Sequence, residues 1–283
     1  MFELLVALPL LVKAVILGIV EGLTEFLPIS STGHLILAGS LLGFHGDKAK
    51  IFDVAIQTGA MFAVIVYFRE RISLVVKGIF SDPVQQKFAL NIVIAFLPAA
   101  FLGVLFASKI KEYLFYPVPV AIALIVGGFI IMWVETRNRR HPKKARLNSV
   151  DEMSRLDALK LGIAQAFALI PGMSRSGSTI IGGMLFGMSR QSATEFSFYL
   201  AIPTLIGAGV YDTWKYRELL SVSDIPLFAT GTIVAFFCAW ACVAWLIQYV
   251  ATRDFMPFAW YRIIFGLVVL VTAYTGVVQW AGT

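Results

Sequence analysis

Charge is scarce in this 283-residue chain. Only 14% of its residues are Asp, Glu, Lys or Arg, against about 25% in soluble globular proteins. That is too little to cover a water-facing surface of this size. Cysteine is nearly absent, and two residues, Cys238 and Cys242, cannot make a disulfide-stapled scaffold. They stand four apart in an apolar stretch, as small packing residues on one helix side would, and indicate neither metal nor redox chemistry. No Gly-X-Y period runs through the 23 glycines, which excludes a collagen, and 23 phenylalanines exclude a disordered chain. The N-terminus does not read as a secretory signal: Glu3 replaces a basic start, Lys13 interrupts the apolar run, and no small-x-small site follows. What is abundant is hydrophobicity. Apolar residues make up 59% and mean hydropathy is +0.82, so the chain reads as a polytopic helical membrane protein.

The net charge of +6 does not indicate nucleic acid. Its densest run, Arg137, Arg139, Arg140, Lys143, Lys144 and Arg146, lies between hydrophobic segments. That is where a loop facing anionic lipid and cytosol belongs, and no stacking aromatics accompany it.

Six stretches are long and apolar enough to span a bilayer: 51–68, 88–108, 118–136, 192–212, 225–249 and 258–281. Tyr67, Trp133, Trp214 and Trp280 near their ends suit interfacial belts. Two more apolar stretches, 5–43 and 158–188, are interrupted near their middles by Pro, Gly, Ser and Thr, with ionisable residues at the interruption. A helix that stops halfway leaves backbone groups unpaired, which only surrounding protein or a wet cavity tolerates. Both read as re-entrant helical hairpins.

The same two stretches match each other at an offset of 144 without gaps. Gly18, Ile19, Ser30, Gly33, Ile36, Gly39, Leu41 and Gly43 recur as Gly162, Ile163, Ser174, Gly177, Ile180, Gly183, Leu185 and Gly187. Phe52, Val66 and Tyr67 are answered by Phe196, Val210 and Tyr211. The expected fold is therefore an all-α polytopic membrane protein of two inverted-topology repeats. Each holds one re-entrant helical hairpin and three transmembrane helices, and three is odd, so the second copy is upside down. One integral membrane domain covers 1–283, with repeat one at 1–136, repeat two at 158–283 and a basic loop at 137–157 between them. With that loop cytoplasmic, inside loops carry twelve Lys and Arg and outside loops six, which sets the orientation. The two broken tips then meet inside the membrane.

The first break reads EGLTEFLPISSTGH from Glu21 to His34. Glu21 and Glu25 share a helix face at i,i+4. Two like charges at membrane depth call for a compensating cation, and a hard divalent ion, Mg²⁺ or Ca²⁺, has the right ligand preference. Alternatively one Glu stays protonated and acts as acid or base. Ser30, Ser31, Thr32 and Gly33 follow Pro28 with hydroxyls and backbone N–H groups at a helix start, an anion-binding arrangement. His34 lies in the first turn, and Ser31 is the hydroxyl favoured as nucleophile, activated by His34. The second break, Pro171 to Thr179, is PGMSRSGST. Arg175 has no acidic residue within nine positions on either side, so it needs an anion from elsewhere. A phosphate fits, gripped by Arg175 beside Ser174, Ser176, Gly177 and Thr179, and a structural pairing with Glu21 or Glu25 is the competing reading. Asp53 and Gln165 are candidate supporting groups. Glu195 reads as an N-terminal helix cap, and Gly127–Gly128 as a site of close helix packing. Carboxylates, a His, hydroxyls and an Arg cradle reached through lipid together describe phosphoryl transfer on an amphiphile with a phosphorylated head.

At these motifs the sequence resembles the undecaprenyl-pyrophosphate phosphatases, the bacitracin-resistance protein family. The resemblance extends to EFSFYLAIP at 195–203 and to PFAWYR ending at Arg262. It implies a divalent-metal-dependent hydrolase of the bacterial inner membrane. Such an enzyme converts undecaprenyl diphosphate to undecaprenyl phosphate and inorganic phosphate, recycling the lipid carrier for peptidoglycan. It implies a catalytic set of Glu21, Glu25, Ser31, His34 and Arg175, and a phosphate site including Ser174, Ser176 and Thr179; the distribution of Lys and Arg puts the opening of that site on the periplasmic side. Membrane lipids and the polyprenyl substrate are the expected partners, with room for a homodimer and none for nucleic acid. Ser31, His34 and water all stay open as the nucleophile. A transporter or flippase for a phosphorylated lipid is the alternative from another class.

Overall fold

The computed structural model describes residues 2–140, 144–215 and 221–276. Lys143, Arg217, Trp280 and the end of the sixth apolar stretch lie outside the described residues. Among the described residues twelve α-helices follow one another: α1 (Phe2–Val6), α2 (Leu10–Thr24), α3 (Ser31–Leu42), α4 (Asp47–Tyr67), α5 (Arg69–Gly78), α6 (Pro83–Leu114), α7 (Pro117–Arg140), α8 (Arg155–Ala166), α9 (Arg175–Leu185), α10 (Arg190–Lys215), α11 (Ile225–Thr252) and α12 (Met256–Thr275). Among the described residues there is no strand, only an isolated bridge between Leu147 and Met188. Six of the described helices, α4, α6, α7, α10, α11 and α12, are long and apolar enough to cross a membrane. They coincide with the six expected stretches, and the chain is an all-α polytopic membrane protein.

The two interrupted stretches fold as short helix pairs. α2 has 15 residues, α3 and α8 have 12 each and α9 has 11. At 1.5 Å per residue these reach only about 17–23 Å, short of a bilayer core of about 30 Å. Local chemistry stops each first helix. Ile170, which precedes Pro171, is extended at ψ 115°, the conformation that a following proline imposes. Each second helix then starts from a serine with positive φ, Ser30 at 70° and Ser174 at 72°. They are the non-glycine residues with positive φ among the described residues, and they stand 144 apart. Such backbone costs about 1–3 kcal/mol and persists only where the surroundings enforce it.

The hairpins are held by helices from the opposite half. α2 packs on α11 and α8 on α6. A Cβ on Gly18 would lie 2.6 Å from the Gly231 carbonyl, and one on Gly162, 144 positions on, would lie 2.6 Å from the Ala95 carbonyl. The paired glycines thus serve the same close backbone approach in both halves. Cys242 behaves as a packing residue, buried with its thiol 3.3 Å from the Leu23 carbonyl.

The basic connection is partly docked. Arg71 pairs with Asp151, Lys87 donates to the Asp151 carbonyl at 2.9 Å, and Asn91 donates to the Met153 carbonyl at 3.0 Å. Ser154 and Asp157 form a capping box at the start of α8. Glu195 does not cap a helix as expected. α10 begins five residues earlier, at Arg190, where Ser189 Oγ accepts from the Ser192 N–H at 3.1 Å.

Candidate active site

The two breaks face each other across one cavity of about 210 Å³. Glu25, Ser30, Ser31 and Thr32 line it from the first break, Ser174 and Arg175 from the second. Pockets for whole drug-sized ligands run about 300–1,000 Å³. This one has room for a phosphorylated headgroup, and a long hydrocarbon tail must lie outside it.

A chain of contacts joins the halves. Ser31 Oγ donates to Glu25 Oε2 at 2.6 Å, and Arg175 Nη2 reaches Glu25 Oε1 at 3.4 Å. Arg175 Nη1 donates to the Ser197 carbonyl at 3.0 Å, while its Nε is buried without a partner. Arg175 is therefore fixed by its tip, and its Nε–H is left without an acceptor. The pairing with Glu25 was the competing reading, and here it coexists with an open cavity.

His34 is oriented differently from a Ser–His pair. Its Nδ1 lies 2.7 Å from the Ser30 carbonyl, and a carbonyl oxygen only accepts, so Nδ1 carries the proton. In the neutral ring Nε2 then accepts from the Tyr261 hydroxyl, also at 2.7 Å. The ring stacks on Phe265 with centroids 4.0 Å apart. Ser31 thus has Glu25, not His34, as its partner, and His34 is absent from the cavity wall.

The expected phosphate residues divide into two groups. No side chain caps the start of α3 at Ser30, so the N–H groups of its first turn carry no side-chain cap; Ser30, Ser31 and Thr32 line the cavity and Gly33 does not. The start of α9 is already capped, by Ser174 Oγ accepting from the Gly177 N–H at 3.0 Å. Ser176 and Thr179 are fully buried and do not line the cavity. The Ser176 hydroxyl donates to the Leu27 carbonyl at 2.8 Å, and Thr179 Oγ1 donates to Ser197 Oγ at 2.6 Å. Both hydroxyls latch the second break to its neighbours.

Glu21 is fully buried, with both carboxylate oxygens lacking a partner. It feels the charges of Glu25, Asp53 and Arg175. Among the described residues no group of three His, Cys, Asp or Glu gathers closely enough to enclose a metal.

The family described as bacitracin resistance protein BacA matches residues 14–268, a range that contains both breaks and the cavity between them. The chain belongs to the BacA family. Its relatives include the undecaprenyl-diphosphatase of Janthinobacterium sp. (strain Marseille), 65% identical over 272 residues that cover 96% of this chain and 98% of that protein. Those of Herminiimonas arsenicoxydans and Polaromonas naphthalenivorans (strain CJ2) are 64% and 61% identical, with the same coverage.

In this BacA chain, sequence reasoning missed four groups at the site. Gln57 and Thr204 line the cavity, and Thr204 donates to Gln165 Oε1 at 3.3 Å. Tyr261 holds His34. Arg262, 1% exposed, donates all its hydrogen bonds to backbone carbonyls: Nε to Leu124, Nη1 to Pro28 and Met173, Nη2 to Ala123 and Gly172, each at 3.0–3.2 Å. One guanidinium thereby ties both breaks to α7. Gly127 supplies the room, since a Cβ there would lie 2.0 Å from Arg262 Nη2, so that glycine serves a side chain more than helix packing. The sequence signal was the arginine in PFAWYR, a charge inside an apolar span.

Removing this clamp has a thermodynamic cost. Arg262→Met leaves carbonyls of both breaks without a donor in an apolar interior, at about 3–5 kcal/mol. For a chain of this length that lowers the melting temperature by on the order of 10 °C. Thermal unfolding of the detergent-solubilised protein measures it, and a midpoint within about 2 °C of the parent rejects the clamp.

Proposed function

We propose that this chain hydrolyses undecaprenyl diphosphate to undecaprenyl phosphate and inorganic phosphate, returning the lipid carrier to cell-envelope synthesis. One observation carries the reading: Ser31, Glu25 and Arg175, from two separate helix breaks, form a continuous contact chain along a single headgroup-sized cavity. Nucleophile, proton acceptor and anion clamp are the three parts that phosphoanhydride cleavage requires.

The diphosphate lies with its terminal phosphate between Arg175 and the first turn of α3, and its prenyl tail extends into lipid. Ser31 Oγ attacks the terminal phosphorus as its proton passes to Glu25 Oε2. The new Oγ–P bond forms as the bond from phosphorus to the bridging oxygen breaks, releasing undecaprenyl phosphate. Glu25 passes that proton to the departing undecaprenyl phosphate; as a carboxylate again, it takes a proton from the water that attacks the phosphoserine and returns it to Ser31 Oγ as inorganic phosphate leaves. Arg175 holds the phosphoryl oxygens through both steps. Ser30, Thr32 and Gly33 contribute N–H groups, Ser174 shapes the opposite wall, and Ser176, Gly177 and Thr179 keep that wall in place. His34 acts by fixing the Ser30 carbonyl, and with it the strained turn that aims Ser31.

Glu21 and Glu25 would hold Mg²⁺ or Ca²⁺. Glu21 offers two buried oxygens that no protein group satisfies, and carboxylate oxygens are the ligands that a hard divalent ion would take. Such an ion supplies charge neutralisation at the phosphoryl oxygens. The site opens outward from a bacterial inner membrane, in keeping with the distribution of Lys and Arg. The inverted duplication is supported by Ser30 and Ser174, by Gly18 and Gly162, and by the crossed packing of each hairpin on the other half.

Purified protein in detergent, given a polyprenyl diphosphate, is expected to release phosphate, to stop on chelation and to recover with Mg²⁺ or Ca²⁺. Detergent offers no gradient and no sealed compartment, so turnover there separates hydrolysis from transport. Absence of release by metal-replete, folded protein rejects the reading.

A further inference from the structure

A second cavity, of about 1,100 Å³, opens where the end of α7, residues 144–146, the start of α8 and the turn from α9 to α10 converge. Its walls carry Arg137, Lys144, Arg146, Lys160 and Arg190 against the single carboxylate of Asp157. Two of the five cations are neutralised: Arg146 pairs with Asp157, and Arg190 with Glu135, which is fully buried. Arg137 and Lys160 lie over the rings of Trp133 and Phe186, at 5.8 and 5.9 Å, and Lys144 is exposed. Among the described residues none of these three has a carboxylate partner, so positive charge is left over in a concave site.

An apolar cavity of about 250 Å³ adjoins it. The two share Leu185 and Phe186. Ile130, Ile131, Ile163 and Ile181 line the second, together with Gly177 and Ser178 of the first turn of α9. A polar, cationic chamber beside a largely apolar groove, with Leu185 and Phe186 in the wall of both, matches an amphiphile. A soluble anion uses only the chamber, and a nucleic acid has no use for the groove.

We propose that the joined cavities bind an anionic phospholipid, its headgroup phosphate among Arg137, Lys144 and Lys160 and one acyl chain along the isoleucine groove. Basic recesses between membrane helices on the positive-inside face suit such headgroups. The site is separate from the cavity between the breaks, and the proposal does not rest on the hydrolytic reading. Because Gly177 and Ser178 line the groove, the bound chain packs against the start of α9 and braces the second break.

Native mass spectrometry of the full chain, titrated with phosphatidylglycerol or phosphatidylcholine of matched chains, tests this. Phosphatidylglycerol is expected to bind more tightly and to raise the melting temperature. Removing two charges in Lys144→Gln/Lys160→Gln weakens its binding about thirty-fold, at about five-fold per charge. Ile163→Trp, which fills the groove, weakens phosphatidylglycerol while leaving glycerol 1-phosphate unchanged. Equal affinity for the two lipids overturns the proposal, as does an unaltered affinity in the double variant. Full displacement of phosphatidylglycerol by inorganic phosphate at equal concentration assigns the chamber to free phosphate and overturns it too. The comparison of the two lipids uses the parent protein, so it stands even where a variant fails to fold.

Discussion

Ser31→Ala is expected to lower the rate of phosphate release by about a thousandfold or more, the usual consequence of deleting a nucleophile. Glu25→Gln falls nearly as far, because Glu25 is what Ser31 Oγ touches, at 2.6 Å. The amide keeps the shape but cannot take the proton. Since the two act as one unit, the double variant is expected to be no worse than Ser31→Ala alone. His34→Ala should lose less, about ten- to a hundredfold. Its imidazole is committed to the Ser30 carbonyl and the Tyr261 hydroxyl, so its removal loosens the turn without deleting a reacting atom. Rates of phosphate release at saturating polyprenyl diphosphate, on proteins with unchanged melting temperature, give the ranking. If His34→Ala equals Ser31→Ala while Glu25→Gln stays active, the proton goes to the imidazole and the assignment of Glu25 is wrong.

What could be read from the chain before its fold follows the range of the physics involved. The six spans and both breaks are local features, fixed by runs of apolar residues and by Pro28 and Pro171. The glycine register at an offset of 144 also survives in one dimension, and Gly18 and Gly162 make equivalent close approaches. Side-chain direction does not survive there. His34 stands three residues after Ser31, close enough in sequence to suggest a pair, yet the positive-φ turn at Ser30 hands Ser31 to Glu25 and leaves the imidazole to α12. Ser176 and Thr179 share a motif with Arg175, but on a helix they face inward and latch to Leu27 and Ser197. Arg262 could be seen only as an arginine out of place, since its five acceptors come from α7 and two breaks that are distant in sequence. Propensity and period find elements. They do not say which carbonyls a guanidinium will gather.

Arg175→Lys is the second substitution with a large expected effect, and it separates charge from shape. Lysine keeps the positive charge at the second break, so a site needing only a counter-ion for Glu25 would lose little. The arginine does more than that. Nη1 is spent on the Ser197 carbonyl and Nη2 leans on Glu25, while Nε faces no protein acceptor. A planar fork can stay anchored at one nitrogen while others turn to two phosphoryl oxygens. An ammonium is a single point with no fixed plane, and it must choose between the carbonyl, the carboxylate and the phosphate. The expected loss is therefore in the chemical step, about a hundred- to a thousandfold in kcat, as for removal of a transition-state donor. The change in KM should be smaller, because ground-state attraction for the diphosphate persists. Steady-state kinetics divides the two, and thermal unfolding checks that the buried ammonium has not undone the fold. A lysine variant within about threefold of the parent kcat would reduce Arg175 to a structural counter-ion. The proposed transition-state clamp would then have to come from the N–H groups of α3 alone.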